Sequence, residues 1–134
     1  MSPIRIVLAD GHANVRALLR ARLSREPDFE IVGEATHSAQ AMRLARDAQP
    51  HVVVMDPIMR DGHGLAALYD IVKQSPQTAV VVLSAFSDTA LRLELRRIGV
   101  RCILDKDIEP ERLVTTIRAL GQSSKFICQG ELIV

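Results

Sequence analysis

The sequence has few cysteines, no long apolar run and almost no net charge. Its two cysteines, Cys102 and Cys128, have neither a metal-ligand spacing nor the number that a disulfide framework needs, so we expect reduced thiols. No apolar run approaches the roughly 18 residues of a membrane-spanning helix, and the first residues show no cleavable leader pattern. These absences predict a cytoplasmic protein without a membrane partner.

The near balance of charge excludes a further class of function. Seventeen Lys and Arg residues against 16 Asp and Glu residues give a formal net charge of +1. Such a chain has no basic field to attract the phosphate backbone of DNA or RNA. We therefore expect no direct nucleic acid binding by this chain.

The composition is that of a soluble globular domain. With 134 residues, 48% hydrophobic and 25% charged, one domain is the simplest organisation. We assign residues 1–121 to this domain. Residues 122–134 differ in kind, and they either pack back on the domain or a partner, or begin an interdomain linker. Apolar side chains in this tail, such as Phe126 and Ile127, predict a homodimer formed through the last helices.

Short β-branched runs alternate with helical patterns throughout the domain. The apolar residues between the runs recur at helical spacing, and Gly99 and Gly121 are predicted to end the last two helices. The alternation predicts an α/β fold with a doubly wound, five-stranded parallel sheet, (βα)5. The predicted strands are residues 4–9, 29–34, 52–55, 79–83 and 100–104.

Polar residues follow four of the predicted strands, namely Asp10, Asp56, Ser84 and Lys106. Each alone could serve as a helix cap or turn residue. Because ligands of such sheets bind beyond the carboxyl ends of the strands, we expect the four to converge. Two carboxylates can hold Mg²⁺, a carboxylate can accept a phosphoryl group, and a lysine and a hydroxyl can stabilise the transferred charge. The set therefore predicts phosphoryl transfer chemistry, with Asp56 as the acceptor.

The order and spacing of these residues resemble the receiver domain of two-component response regulators, specifically the NarL/FixJ (LuxR-type) subfamily. The resemblance covers residues 4–121 and implies the flavodoxin-like receiver fold. The matching segments are Ile4-Arg5-Ile6-Val7-Leu8-Ala9-Asp10 with His12 and Val15-Arg16, Val32-Gly33-Glu34-Ala35, Val52-Val53-Val54-Met55-Asp56 with Met59 and Gly64, Val81-Val82-Leu83-Ser84-Ala85 and Leu104-Asp105-Lys106-Asp107.

The resemblance implies a role for each site residue. Asp56 matches the phosphoacceptor, Ser84 the switch hydroxyl and Lys106 the phosphate-contacting lysine. Asp10 matches the first residue of the acidic pair, and the backbone carbonyl of Ile58 matches a ligand of Mg²⁺. The implied function is to accept a phosphoryl group from a histidine kinase and to regulate transcription through an output domain absent from this chain, without being a turnover enzyme.

Four positions depart from the family pattern. Gly11 stands where a second, metal-coordinating Asp is usual, and Ile103 stands at a switch position usually held by an aromatic residue. Arg60 and His63 replace the usual Pro and Asp of the loop after the acceptor. From these departures we expect weakened Mg²⁺ binding and weak switching. The neighbouring His12 is expected not to be a metal ligand.

Other functions are less consistent with the sequence. The segment after the first strand lacks the glycine pattern of a dinucleotide site and the hydroxyl-rich loop of a flavodoxin. A haloacid-dehalogenase-type phosphatase would carry a second Asp at position 58, which is Ile58. The alternative that stays open is a degenerate receiver, which acts as an interaction or dimerisation domain without phosphorylation.

Overall fold

A computed structural model describes residues 2–85 and 88–122 of the chain. Strands and helices alternate along this part as predicted, and the strands form one parallel sheet in the order β2-β1-β3-β4-β5. The elements are β1 (Ile4–Ala9), α1 (Ala13–Leu23), β2 (Phe29–Ala35), α2 (Ser38–Ala48), β3 (Val52–Met55), α3 (Gly64–Gln74), β4 (Ala79–Ser84), α4 (Thr89–Ile98), β5 (Cys102–Asp105) and α5 (Pro110–Gln122).

Hydrophobic cores cover both faces of the sheet, as the near-continuous apolar strands require. Alternate residues of β3 point to opposite faces, so Val52 and Val54 join one core while Val53 and Met55 join the other. Helices α1 and α5 close the first core, with Leu23 and residues of α5 buried in it. Helices α2, α3 and α4 close the second core. The expected α/β, doubly wound architecture is confirmed.

Several predicted boundaries shift by one or two residues. The fifth strand begins at Cys102 rather than at Val100, because the Val100 N–H donates to the Leu95 carbonyl at 3.1 Å and closes α4 instead. The last helix continues through Gln122, one residue beyond its predicted end at Gly121. In α1, Leu18 falls in the helical apolar pattern of the segment but is 73% exposed.

The cysteine prediction is wrong for Cys102. This residue is fully buried in β5 and is disulfide-bonded rather than a reduced thiol. Cys128 and the remainder of the tail from residue 123 lie outside the described residues, as does Phe86. Within the described part of the chain, no helix is long and apolar enough to cross a membrane.

Candidate functional site

Two buried carboxylates lie side by side at the carboxyl edge of the sheet. Asp10 follows β1 and Asp56 follows β3, and their side chains are 4% and 8% exposed. The backbone continues the sheet through both residues, because the Asp56 N–H donates to the Ala9 carbonyl and the Asp10 N–H to the Ala35 carbonyl, each at 3.0 Å. The pairing of neighbouring parallel strands thus fixes where the two carboxylates lie.

Lys106 joins these carboxylates. Its Nζ lies 2.9 Å from Asp10 Oδ2 and 2.5 Å from Asp56 Oδ2. The Lys106 N–H donates to the Ser84 carbonyl at 3.0 Å, which ties the residue to the end of β4. One ammonium group therefore bridges residues that are 50 and 96 positions away in the chain, as the convergence of the strand ends predicts.

Backbone donors hold the remaining carboxylate oxygens. Asp10 Oδ1 accepts the His12 N–H at 2.8 Å and lies 3.0 Å from His12 Nδ1. Asp56 Oδ1 accepts the Ile58 N–H at 2.8 Å. Arg16 adds a further contact, since its Nη1 donates to the Asp10 backbone carbonyl at 2.8 Å. Both carboxylates are therefore oriented before any ligand binds.

The contacts set the protonation states of the site. Burial raises the pKa of Asp10, but the hydrogen bonds from His12 and Lys106 outweigh it, so this pKa lies below its ordinary value. Burial lowers the pKa of Lys106, but the hydrogen bonds to Asp56 and Asp10 outweigh it and the pKa is raised. Counted at their formal charges, two carboxylates and one ammonium give these three groups a net charge of −1.

The donor set fits a divalent cation with oxygen ligands. Atoms of Asp10, His12 and Asp56 that could bind a metal all lie within 4.8 Å of one another. Mg²⁺ commonly takes one or two carboxylates and completes its shell with water and phosphate oxygens. The two carboxylates meet that minimum, although Lys106 already contacts one oxygen of each. Ile58, whose backbone carbonyl the resemblance implies as a ligand, has an exposed side chain and an N–H that donates to Asp56.

Ser84 ends β4 beside this cluster. It is 4% exposed and pairs in register with Asp105 of the neighbouring strand. Its backbone carbonyl reaches Lys106, as described, while its side chain adds a hydroxyl to a buried edge. Ile103, at the implied switch position, is 2% exposed and packs in the core under α3 and α4. An aliphatic residue is accommodated there without exposure.

The loop after Asp56 is anchored to the next helix pair. Asp61 Oδ2 accepts the Ser38 N–H at 2.9 Å and Asp61 Oδ1 accepts the Ser38 hydroxyl at 2.7 Å, so a loop carboxylate caps α2. These hydrogen bonds, with one from the His63 N–H, lower the pKa of Asp61 to about 2. Gly64 is required at the end of the loop, because a Cβ there would lie 2.1 Å from the Pro57 carbonyl oxygen.

Comparison with known proteins agrees with this geometry. The response regulator receiver domain family matches residues 6–118. The chain belongs to this family.

Similar receivers include regulators of transcription. The uncharacterized transcriptional regulatory protein YhcZ of Bacillus subtilis is 34% identical over 92% of this chain, and the chain spans 58% of the length of YhcZ. A two-component response regulator of the LuxR family from Aurantimonas sp. SI85-9A1 superposes with a TM-score of 0.86 at 27% identity, covering 98% of this chain and 93% of that one. The NarL signal receiver domain of Mycobacterium tuberculosis superposes with the same TM-score at 24% identity, covering 92% and 99% of the two chains, and shows the shared fold. The resemblance inferred from the sequence is confirmed.

The receiver departs from its family pattern at a place where two changed residues touch. Gly11 is buried, and a Cβ built on it would lie 2.8 Å from Arg60 Cγ and 3.4 Å from Arg60 Cδ and Nε. The side chain of Arg60 therefore crosses the space that a side chain at position 11 would occupy. The two departures, separate in the sequence, form one local feature of the structure.

Three contributors to the site were missed or undervalued in the sequence. His12 contacts Asp10 and lies within the potential ligand group, Arg16 holds the backbone carbonyl of Asp10, and Arg60 covers Gly11. Arg16 matches the family pattern as part of Val15-Arg16, but its place in the sequence does not reveal the contact with the Asp10 carbonyl. No periodicity marks the other two, since both lie in loops.

Proposed function

We propose that this receiver accepts a phosphoryl group on Asp56 from a phosphohistidine of a histidine kinase. One observation carries the proposal: Lys106 bridges two buried carboxylates at the meeting point of three strands. One oxygen of the Asp56 carboxylate accepts a single backbone N–H, and the other lies beside the ammonium group of Lys106. That is the arrangement an acyl phosphate acceptor needs.

The proposed reaction moves one phosphoryl group. An oxygen of the Asp56 carboxylate forms a bond to phosphorus while the bond from phosphorus to the donor's imidazole nitrogen breaks, and the electron pair of that bond stays with the imidazole. Lys106 stabilises the charge on the phosphoryl oxygens, and the Ser84 hydroxyl donates to one of them. Asp10, Asp56 and the Ile58 carbonyl would hold Mg²⁺, which when bound neutralises charge developing on the phosphoryl oxygens.

The proposed role of the whole protein is cytoplasmic signalling to transcription. The chain spans 58% of the length of YhcZ, which is a transcriptional regulatory protein, so an output domain beyond this chain would carry that role. We propose a homodimer as the working assembly. The tail that motivates the homodimer, residues 123–134, lies outside the described residues. A receiver that only returns its phosphoryl group to water or a partner is a signalling module rather than a turnover enzyme.

The second candidate is a degenerate receiver that binds partners without phosphorylation. Gly11 favours it, because the site has two carboxylates rather than three for a cation. Ile103 favours it as well, because a buried aliphatic side chain offers no aromatic ring to reorient. A ligand shifts an equilibrium only by its differential affinity for the two states.

Treatment with acetyl phosphate and Mg²⁺ separates the candidates. We expect intact-protein mass spectrometry to show one added phosphoryl group on the wild type and none on Asp56→Asn. Asp107→Asn, which removes an exposed carboxylate at the same edge, should label as the wild type does. An unlabelled wild type supports the degenerate receiver, and an adduct that survives Asp56→Asn contradicts the acceptor assignment.

A further inference from the structure

The side chain of Arg60 packs on Gly11, beside the acceptor site. Three consecutive atoms of its side chain lie within 3.4 Å of the Cβ position at Gly11, which directly follows Asp10. The last of these atoms is Nε, so the guanidinium begins where a carboxylate side chain at position 11 would otherwise begin. Arg60 is itself only four residues beyond Asp56.

The guanidinium of Arg60 has no competing partner in the described part of the chain. Among residues 2–85 and 88–122, Arg60 makes no ion pair and no side-chain hydrogen bond, whereas Arg16 in the same region is held by Asp10 and Glu34. Arg60 and Gly11 also line an open cleft of about 540 Å³ beside the site. The cleft gives an anion a path to the guanidinium.

Gly11 and Arg60 change the charge of the site in the same direction. The absence of a carboxylate at position 11 lowers the negative charge that a divalent cation would neutralise. Arg60 adds a fixed positive charge with several N–H donors in a fork that matches phosphoryl oxygens. Together they supply part of what a cation supplies for an incoming phosphoryl dianion.

We propose that Arg60 is an anion-binding residue of the acceptor site, which contacts the oxygens of a phosphoryl group on Asp56 and makes its binding partly independent of Mg²⁺. Gly11 is the positioning residue that leaves room for this contact. The inference rests on the proposed function, because it assigns Arg60 to the same phosphoryl group. It goes beyond that function because it names the residue that contacts the phosphoryl oxygens when no metal is bound.

Beryllofluoride is a suitable probe, because it bonds to a carboxylate oxygen and presents fluorines where phosphoryl oxygens would lie. Its affinity is measured by ¹⁹F NMR on the full chain, once with Mg²⁺ and once after divalent cations are removed. Four variants are compared with the wild type: Arg60→Met, which keeps the aliphatic stem over Gly11; Gly11→Ala, whose added Cβ displaces Arg60; the double variant; and Arg43→Met, an exposed arginine of α2 as the matched control. Circular dichroism verifies that each variant is folded.

We expect the wild type to bind beryllofluoride without Mg²⁺, and Arg60→Met to weaken this binding about five- to tenfold, as the loss of a charge-assisted hydrogen bond would. With Mg²⁺ present the same substitution should have a smaller effect. Gly11→Ala should also weaken metal-free binding, and the double variant should bind no more weakly than Arg60→Met, because both changes remove one contact.

Three results would overturn the role of Arg60: no metal-free binding by the wild type, equal metal-free binding by Arg60→Met and Arg43→Met, or effects of Gly11→Ala and Arg60→Met that add. Failure of the proposed function has a different signature. In that case acetyl phosphate with Mg²⁺ leaves the wild type unlabelled, whatever beryllofluoride shows about Arg60.

Discussion

The two edges of the sheet carry ion clusters with similar distances and different surroundings. At the carboxyl edge, Lys106 lies 2.5–2.9 Å from the oxygens of Asp10 and Asp56. At the amino edge, the Arg118 guanidinium donates to both oxygens of Asp28 at 2.7 and 2.9 Å. Distance alone does not distinguish the two clusters.

Charge balance and burial do distinguish them. At the amino edge Arg118 also contacts Glu26 at 2.8 Å, and Glu26 contacts Arg22 at 2.8 Å, so two acids meet two bases. The side chains of Asp28 and Arg118 are 28% and 34% exposed. At the carboxyl edge two buried acids share one base. The excess negative charge there, shielded from water, is what the proposed function needs to bind a cation together with a phosphoryl group.

The pKa shifts follow the same division. Hydrogen bonds to Asp28 and Glu26 raise the pKa of Arg118, and no charge within this amino-edge cluster is left to be neutralised. At the carboxyl edge burial opposes the charges of Asp10 and Lys106, but their hydrogen bonds outweigh it, so the pKa of Asp10 is lowered and that of Lys106 is raised. We therefore interpret the amino-edge cluster as structural and the carboxyl-edge cluster as functional.

Removing Lys106 should have the largest effect on stability of the changes considered. Lys106→Met leaves two buried carboxylates without their shared cation, and we expect the free energy of unfolding at pH 7 to fall by about 1–3 kcal/mol. Urea denaturation measures the change, and Mg²⁺ should restore more stability to this variant than to the wild type. The folded-state pKa of Asp10 is lowered from 3.8, so its contacts stabilise the wild type above pH 3.8 and are lost as the pH falls below that value.

That pH dependence provides the control. As the pH falls below the pKa of Asp10, the wild type should lose the advantage that it holds over Lys106→Met at pH 7. A variant as stable as the wild type at pH 7, without added Mg²⁺, would contradict the claim that the carboxyl edge carries unbalanced charge.

Introducing a carboxylate at position 11 should increase the cation affinity of the carboxyl edge, and with it the difference between the two clusters. Gly11→Asp adds an oxygen ligand and negative charge, so we expect Mg²⁺ affinity to rise about three- to tenfold. The gain should be larger when Arg60→Ala accompanies it, because the introduced side chain would otherwise have to displace Arg60 Cγ, which lies 2.8 Å from the Cβ position at Gly11. Metal titration measures the affinity.

Gly11→Asn is the matched control, since it has the same shape without the charge. An equal response of the Asp and Asn variants would show that charge at this position does not govern the cation. No change in either background would mean that Asp10 and Asp56 do not form the metal site.

Removing the base at the amino edge should have the smallest effect. Arg118→Met breaks contacts that are partly exposed and also loses the packing of the guanidinium 5.1 Å above the Phe29 ring. We expect the free energy of unfolding to fall by less than about 1 kcal/mol, and the loss to shrink in high salt. Labelling of Asp56 by acetyl phosphate should not change, and a loss of labelling would contradict the division of roles between the two edges.

The sequence predicts most of the fold because the fold depends on repeated local patterns. The apolar run of β3 begins and ends where predicted, since a buried central strand tolerates no polar residue within it. The convergence of Asp10, Asp56 and Lys106 follows from parallel pairing alone, because every strand presents its carboxyl end to the same edge. Boundaries such as the start of β5 depend on single hydrogen bonds, which no periodicity reveals.

Contacts made by loops account for the features of the site that the sequence does not predict. The packing of Arg60 on Gly11 and the capping of α2 by Asp61 bring together residues 49 and 23 positions apart through loops of irregular conformation. Neither residue type nor spacing marks such contacts in advance. Both concern the loop after Asp56, where this receiver departs from its family pattern.

The identity of the modified residue tests the central claim most directly. After reaction with acetyl phosphate and Mg²⁺, borohydride reduces an acyl phosphate of aspartate to homoserine, and peptide mass spectrometry locates the converted residue. We predict homoserine at position 56, with none at Asp10 and none at the partly exposed Asp28 of the amino edge. Conversion at any other aspartate, or no conversion under conditions that keep the protein folded, would contradict it.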